Sequence, residues 1–190
     1  MRWKSAAILV LAAGAAAFAA RYEFQSMRDD LARQRNGIAE HWSRVEAALD
    51  RRAAAIPTLL EPVGKHSSSN PALLGEIAAA RSLLAAAQGP QEKIRANRVL
   101  SLSIARLLLH CENDPQTRSG PAFRQLQDEL RAREDEIAGE RFQYNNALEH
   151  YNARMKRFPV NIVASLAGFS RNDAYFSTGP DPAPASTHPN

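Results

Sequence analysis

The stretch PAFRQLQDELRAREDEIAGERFQYNNALEHYNARMKRFP, Pro121–Pro159, sets Phe123, Leu130, Ile137, Tyr144, Tyr151 and Phe158 at strict sevenfold spacing. Side chains seven apart fall on one seam of a helix that packs along its length. A second row begins at Leu126, meets Arg133, Glu140 and Arg154, and reappears one position later at Leu148 and Met155. A 3.6-residue helix drifts in this way against a 3.5-residue repeat. The spacing therefore predicts one helix from Pro121 to Phe158, roughly 57 Å long. Tyr144 and Tyr151 are seam residues, whose hydroxyls are expected to reach a polar partner or the rim. Asn145 and Asn152 lie about 100° round the helix, at the edge of the seam, where their amides are expected to bond polar groups of the first helix such as Arg35.

That first helix shows the same kind of pattern. From Leu31 the apolar positions step through Ile38, Trp42, Val45, Leu49, Ile56, Leu59 and Val63, with Arg35 and Arg52 occupying two seam positions. These alternating steps of three and four predict a long helix, about Tyr22 to Gly64 and roughly 65 Å. Pro57 has no amide hydrogen and should bend the helix and free the Ala53 carbonyl. The run GKHSSSNP breaks the chain, and Asn70 is placed to cap a helix that opens on Pro71. A second helix to about Ala87 turns Leu73, Leu74, Ile77, Ala80 and Leu84 inward, and Gly89-Pro90 ends it. A third, Gln91 to His110, uses Ile94, Leu102, Ile104, Leu107 and Leu108 as its core.

Two long and two short helices give an all-α fold, a long antiparallel helical bundle. Antiparallel register places Trp42 near Tyr144, and Arg35 near Tyr151 and Asn152. The apolar segment after Pro159 either packs on the long helices or lies in a lipid headgroup region through Ile162, Val163, Leu166 and Phe169. Ser177–Asn190 carries four prolines and no large apolar residue, the composition of a disordered tail.

At the N-terminus, Arg2 and Lys4 precede Ser5–Ala20, a run with no charge and nine alanines. Its sixteen residues cover roughly 24 Å as a helix, short of a hydrocarbon core of about 30 Å. The run fits an uncleaved membrane anchor, and with Ala17-Phe18-Ala19 it also fits a cleavable signal peptide. Positive charges on its two sides nearly balance, so orientation stays open. The domains expected are 1–20 as anchor or signal peptide, 21–176 as the helical domain and 177–190 as the tail.

Chemistry is sparse. The formal charge of +4 comes from 24 basic and 20 acidic residues without a long run of one sign, which argues against nucleic-acid binding. Lys93, Arg95 and Arg98 read as a solvated helix face. One cysteine, Cys111, rules out an internal disulfide. Glu40-His41 and Glu149-His150 are adjacent rather than spaced to converge on a metal, and there is no phosphate-cradling glycine loop or nucleophile elbow. Glu134, Asp135, Glu136 and Glu140 are expected to pair with Arg131, Arg133 or Arg141. No catalytic, cofactor or metal-binding residue, and no small-molecule substrate, is indicated.

HWSRVEAALDRRAAAIPTLLEPV, with Trp42, Val45, Arg51, Arg52, Ile56, Pro57 and Leu59, resembles one signature of the LemA family. YNNALEHYNARMKRFPVNIVASLAGF resembles the other, with Tyr144, Asn145, Tyr151, Asn152, Phe158, Pro159, Gly168 and Phe169, and DAYF matches its usual close. The resemblance implies a bacterial protein held in the inner membrane by a single-pass N-terminal anchor, and favours the anchor over the signal peptide. It further implies a non-enzymatic scaffold or adaptor in membrane organisation or envelope quality control, with an unidentified protein partner for which a membrane protease is a candidate class. The alternative it implies is a lipid-surface module acting on membrane shape, as in magnetosome-type relatives.

Overall fold

The computed structural model describes residues 2–64 and 70–176. Among these residues it is helical without strands, with α1 Arg2–Gly64, α2 Pro71–Ala86, α3 Gly89–Glu112, α4 Pro115–Ser119, α5 Pro121–Arg154 and α6 Val160–Leu166. The tail expected at 177–190 and the serine-rich breaker at 65–69 lie outside the described residues. Chain contacts divide the fold into unit 1, Met1–Glu40 with Asn146–Asp173, and unit 2, His41–Asn145 with Ala174–Asn190.

Unit 2 holds the larger core. Val45, Leu49 and Ile56 of α1, Ile77 and Leu84 of α2, Leu100, Ile104 and Leu107 of α3, and Phe123, Leu126, Ile137 and Tyr144 of α5 are all buried. Its partners on α1 and α5 run in opposite directions along the chain: Trp42 meets Tyr144, with ring centroids 5.4 Å apart, and Arg51 meets Glu136. The antiparallel register read from the seams is thus the observed one. Leu102, expected in the core of α3, is 42% exposed. The buried row is Leu100, Ile104, Leu107, Leu108 and Cys111, and Leu102 sits about 200° from Leu100.

The ends of the short helices follow local rules. Asn70 accepts the Ala72 N–H at 3.0 Å as N-cap of α2, with Pro71 at the first helical position. Asp114 caps α4 through the N–H groups of Gln116 and Thr117. α1 continues through both Pro57 and Pro62. The Ala53 carbonyl, which Pro57 cannot serve, accepts a hydrogen bond from Arg81 Nε of α2 at 2.7 Å, so a defect in one helix becomes an attachment point for another.

Unit 1 is built on the first part of α1, the end of α5, α6 and the chain that follows it. Leu31 and Ile38 of α1, Leu148 and Tyr151 of α5, and Val160, Val163 and Ala164 of α6 are buried. Asp30 pairs with Arg154 Nε at 3.2 Å. The helix expected to reach Phe158 stops at Arg154, and Phe158 is 80% exposed, outside the seam to which its spacing assigned it. Pro159 has no N–H to bond the Met155 carbonyl and disfavours a helical residue before it. The helix releases a full turn before the proline. Residues 11–20 of α1 are exposed throughout. Among the described residues no helix is long and apolar enough to cross a membrane, so the expected span is not an observed element of the fold.

Candidate functional site

Two constellations of polar and aromatic side chains stand out, each containing some of the positions that the sequence singled out. The first is a charged cluster in unit 2. Arg52 occupies a seam position of α1 and is only 4% exposed. Its Nη1 donates to Asn97 Oδ1 and to Ser101 Oγ, each at 3.0 Å, and lies 3.2 Å from Glu134 Oε2. A buried guanidinium is costly unless its charge and its donors are both met; here α3 supplies neutral acceptors and α5 the carboxylate. Next to it, Arg51 is exposed and holds Glu136 Oε1 through Nε at 3.0 Å and Nη2 at 2.6 Å. The paired arginines thus divide their work, one inside and one at the rim.

Glu134 and Glu136 were expected to pair along their own helix. Arg133 does approach Glu136 at 3.6 Å, but the shorter bonds run to α1. Lys93 corrects the reading of a solvated cationic face: it is buried and sits 2.7 Å from Glu46 and 3.7 Å from Asp50. Burial lowers its pKa, but the hydrogen bond to Glu46 and the neighbouring negative charges outweigh that, so the net shift is upward from 10.5. Cys111 is fully buried and its pKa is raised, first by burial and then by Asp114 and Glu112. It has the character of a core side chain rather than a nucleophile.

The second constellation explains the Tyr-Asn repeat. In unit 2, Asn145 Nδ2 donates to the Phe176 carbonyl and its Oδ1 accepts the Phe176 N–H, both at 3.1 Å. In unit 1, Asn152 treats Asn172 in the same way, at 2.7 Å and 3.1 Å. Each amide grips one residue of the closing segment by both backbone groups, as a neighbouring strand would. This corrects the expectation that the amides reach Arg35. That guanidinium lies over the Phe169 ring instead, 5.3 Å from its centroid, a cation–π arrangement.

The tyrosines differ from one another. Tyr151 donates to the Ser170 carbonyl at 3.2 Å, and burial raises its pKa although Arg35 pulls the other way. The Tyr144 hydroxyl has no hydrogen-bond partner among the described residues, against the expectation of a polar contact. Burial, with a smaller contribution from Tyr175, pushes its pKa to about 12. Its ring packs against Trp42 and meets Phe176 edge-on at 6.2 Å, while Trp42 stacks on Phe176 at 6.4 Å. Arg141 covers that phenylalanine at 4.8 Å. Phe176 is therefore held by its ring and by its backbone together.

The remaining marked residues differ in burial. Val45 and Ile56 are buried, Leu59 is half-buried, and Pro57 and Pro159 are exposed. Gly168 takes φ +74 at the end of α6, and there the Phe169 N–H bonds the Ala164 carbonyl at 2.9 Å while the Gly168 N–H reaches Ser165. This is a left-handed helix stop that glycine adopts without strain, and it delivers Phe169 to Arg35. Arg52 was recognisable as a cation in a seam, but its partners Asn97 and Ser101 were not, because nothing local marks them as facing inward. An apolar groove of about 350 Å³ lies between α2 and α3, lined by Leu83, Ala86, Ala87, Ala96 and Val99 with Glu92 and Arg95. Among the described residues no cluster of three or more His, Cys, Asp or Glu could hold a metal ion.

Two curated proteins of Paramagnetospirillum magneticum (strain ATCC 700264 / AMB-1), the magnetosome proteins MamQ 1 and MamQ 2, are each 29% identical over 147 residues, covering 76% of this chain and 50% of the relative. The chain thus spans about half the length of the curated relatives it matches. The family model described as LemA matches residues 41–188, a range that includes the Arg51–Arg52 pair, both Asn grips and the Gly168 stop, and so the chain belongs to the LemA family.

Proposed function

We propose that this protein is a membrane-attached, non-enzymatic helical scaffold of the bacterial cell envelope, fixed by its N-terminal helix and offering its helical domain to a protein partner. One observation carries the attachment: α1 runs without interruption from the folded part into a stretch where Trp3, Ile8, Leu11 and Phe18 are 92, 65, 74 and 74% exposed. Large apolar side chains displayed in series mark a surface that meets lipid or protein rather than water. The kinship with magnetosome proteins supports a membrane setting. The scaffold role is supported by the way in which the marked residues are used: Arg52, the Asn grips and Gly168 hold segments of the chain together. A membrane protease is the proposed class of partner.

Carbonate extraction of cell membranes tests the attachment. The chain is expected to stay in the pellet, and Leu11→Arg with Phe18→Arg to release it; a wild-type chain found in the supernatant would overturn the reading. Cys111 is buried and cannot report sidedness in the native protein, so the side is mapped with an impermeant maleimide on Arg98→Cys, an exposed site of α3. A photo-crosslinker in place of Leu83, on the α2–α3 groove, is expected to capture a membrane protease. Absence of such an adduct removes that partner.

A further inference from the structure

We infer that the outward face of α6, with the basic turn before it, is a contact surface for anionic lipid headgroups. The inference rests on the membrane attachment proposed above. Three observations meet here.

The first is the shape of α6. Val160, Val163 and Ala164 are buried and face one way; Ile162 and Leu166, four residues apart on the other side, are 50 and 73% exposed, and Phe158 just before the helix is 80% exposed. A helix of a soluble surface would put polar residues there. This one keeps a second apolar face after its first has been satisfied.

The second is charge. Unit 1 contains ten Lys or Arg and six Asp or Glu, leaving fourteen of each for unit 2 out of the chain's 24 and 20. The whole formal charge of +4 therefore belongs to unit 1. Lys156 and Arg157 stand exposed beside Phe158. Apolar side chains flanked by cations are the composition that inserts at the boundary of headgroups and acyl chains. Of the acidic groups in the same unit, Asp30 is engaged by Arg154 and Asp173 by Arg171 rather than by Lys156 or Arg157.

The third is position. The Asp30–Arg154 pair fixes where the chain leaves α5, and Asp30 is ten residues from Ala20, the end of the uncharged run. Ten residues of helix rise about 15 Å. The turn carrying Lys156 and Arg157 thus starts within reach of the headgroup layer of a membrane entered by the N-terminal helix. An anionic lipid surface, rather than a zwitterionic one, is the partner that this charge selects.

The test uses the full chain reconstituted into vesicles. Leu166→Cys carries a fluorophore quenched by a spin label on lipid headgroups, and Ala138→Cys, exposed on α5 in unit 2, is the comparison site. Strong quenching is expected at 166 and not at 138 in phosphatidylglycerol-rich vesicles. Lys156→Gln with Arg157→Gln is expected to lower the engaged fraction by about an order of magnitude, and pure phosphatidylcholine to do the same. Vesicle flotation is scored in parallel. If the chain floats but 166 is quenched no more than 138, the headgroup contact is overturned while the attachment stands; if the chain does not float, both fall. Burial of the 166 fluorophore in dilute detergent without lipid would assign the face to a protein contact and overturn the proposal.

Discussion

Unit 2 and unit 1 are built from the same kind of helix and dispose of their side chains in opposite ways. Unit 2 is electrically neutral by composition and draws charge inward: Arg52 and Lys93 are both buried and both met by carboxylates. Unit 1 carries the entire net charge and sends apolar groups outward, with Trp3, Leu11, Phe18, Phe158 and Leu166 all more than 70% exposed. The difference teaches that hydrophobic content alone does not locate the core of this protein. What separates the units is whether an apolar row has an opposing row to close on it, and the short helices α2 and α3 provide one only in unit 2.

The sharpest way to break this comparison is to delete one leucine in each unit. Leu49→Ala removes a side chain with 0% exposure and is expected to cost about 2–5 kcal/mol in urea unfolding. Leu166→Ala, at 73% exposure, should change stability by less than about 0.5 kcal/mol. Equal effects would abolish the distinction.

Next in size is the inward charge. Glu134→Ala removes the carboxylate that lies 3.2 Å from buried Arg52 and is expected to destabilise by about 3 kcal/mol, whereas Arg51→Ala at the exposed rim should cost at most about 1 kcal/mol. A small effect at Glu134 would show that the other partners of the guanidinium suffice to hold it.

The amide grips sharpen the comparison, since one lies in each unit. Asn145→Ala and Asn152→Ala each remove two backbone hydrogen bonds, at about 1–3 kcal/mol per site. Hydrogen exchange is expected to show faster Phe176 N–H exchange for the first and faster Asn172 N–H exchange for the second. Protection unchanged in both would mean that the closing segment is held by its other contacts rather than by the amides.

The smallest effect is a pH dependence seated in unit 2. Tyr144 holds its proton more tightly when folded, with a pKa of about 12 against 10.0. Stability from this group is therefore complete below pH 10 and falls as the pH rises toward 12. Phenolate absorbance should show a late-titrating tyrosine that disappears in Tyr144→Phe. A normal titration in wild type would indicate that solvent reaches the hydroxyl.

Much of the molecule was legible in the chain because helices are local objects. The sevenfold seam of α5, the Asn70-Pro71 start of α2 and the missing amide of Pro57 follow from periodicity and backbone chemistry, and the Trp42–Tyr144 pairing followed from laying one seam against the other. Phe158 shows the limit of that logic: its spacing extended the seam, but the proline after it ended the helix first. The partner of the Ala53 carbonyl was not readable, since Arg81 comes from another helix. Nor were the acceptors of Arg52, or the true occupants of Asn145 and Asn152, which turned out to be backbone groups of a segment without periodicity. The sequence by itself determined where α2, α3 and most of α1 and α5 run and most of their apolar positions, because those depend on neighbours a few bonds away. Only the tertiary structure decided which faces stay open and which polar groups meet, because burial and hydrogen bonding depend on chain segments distant in sequence.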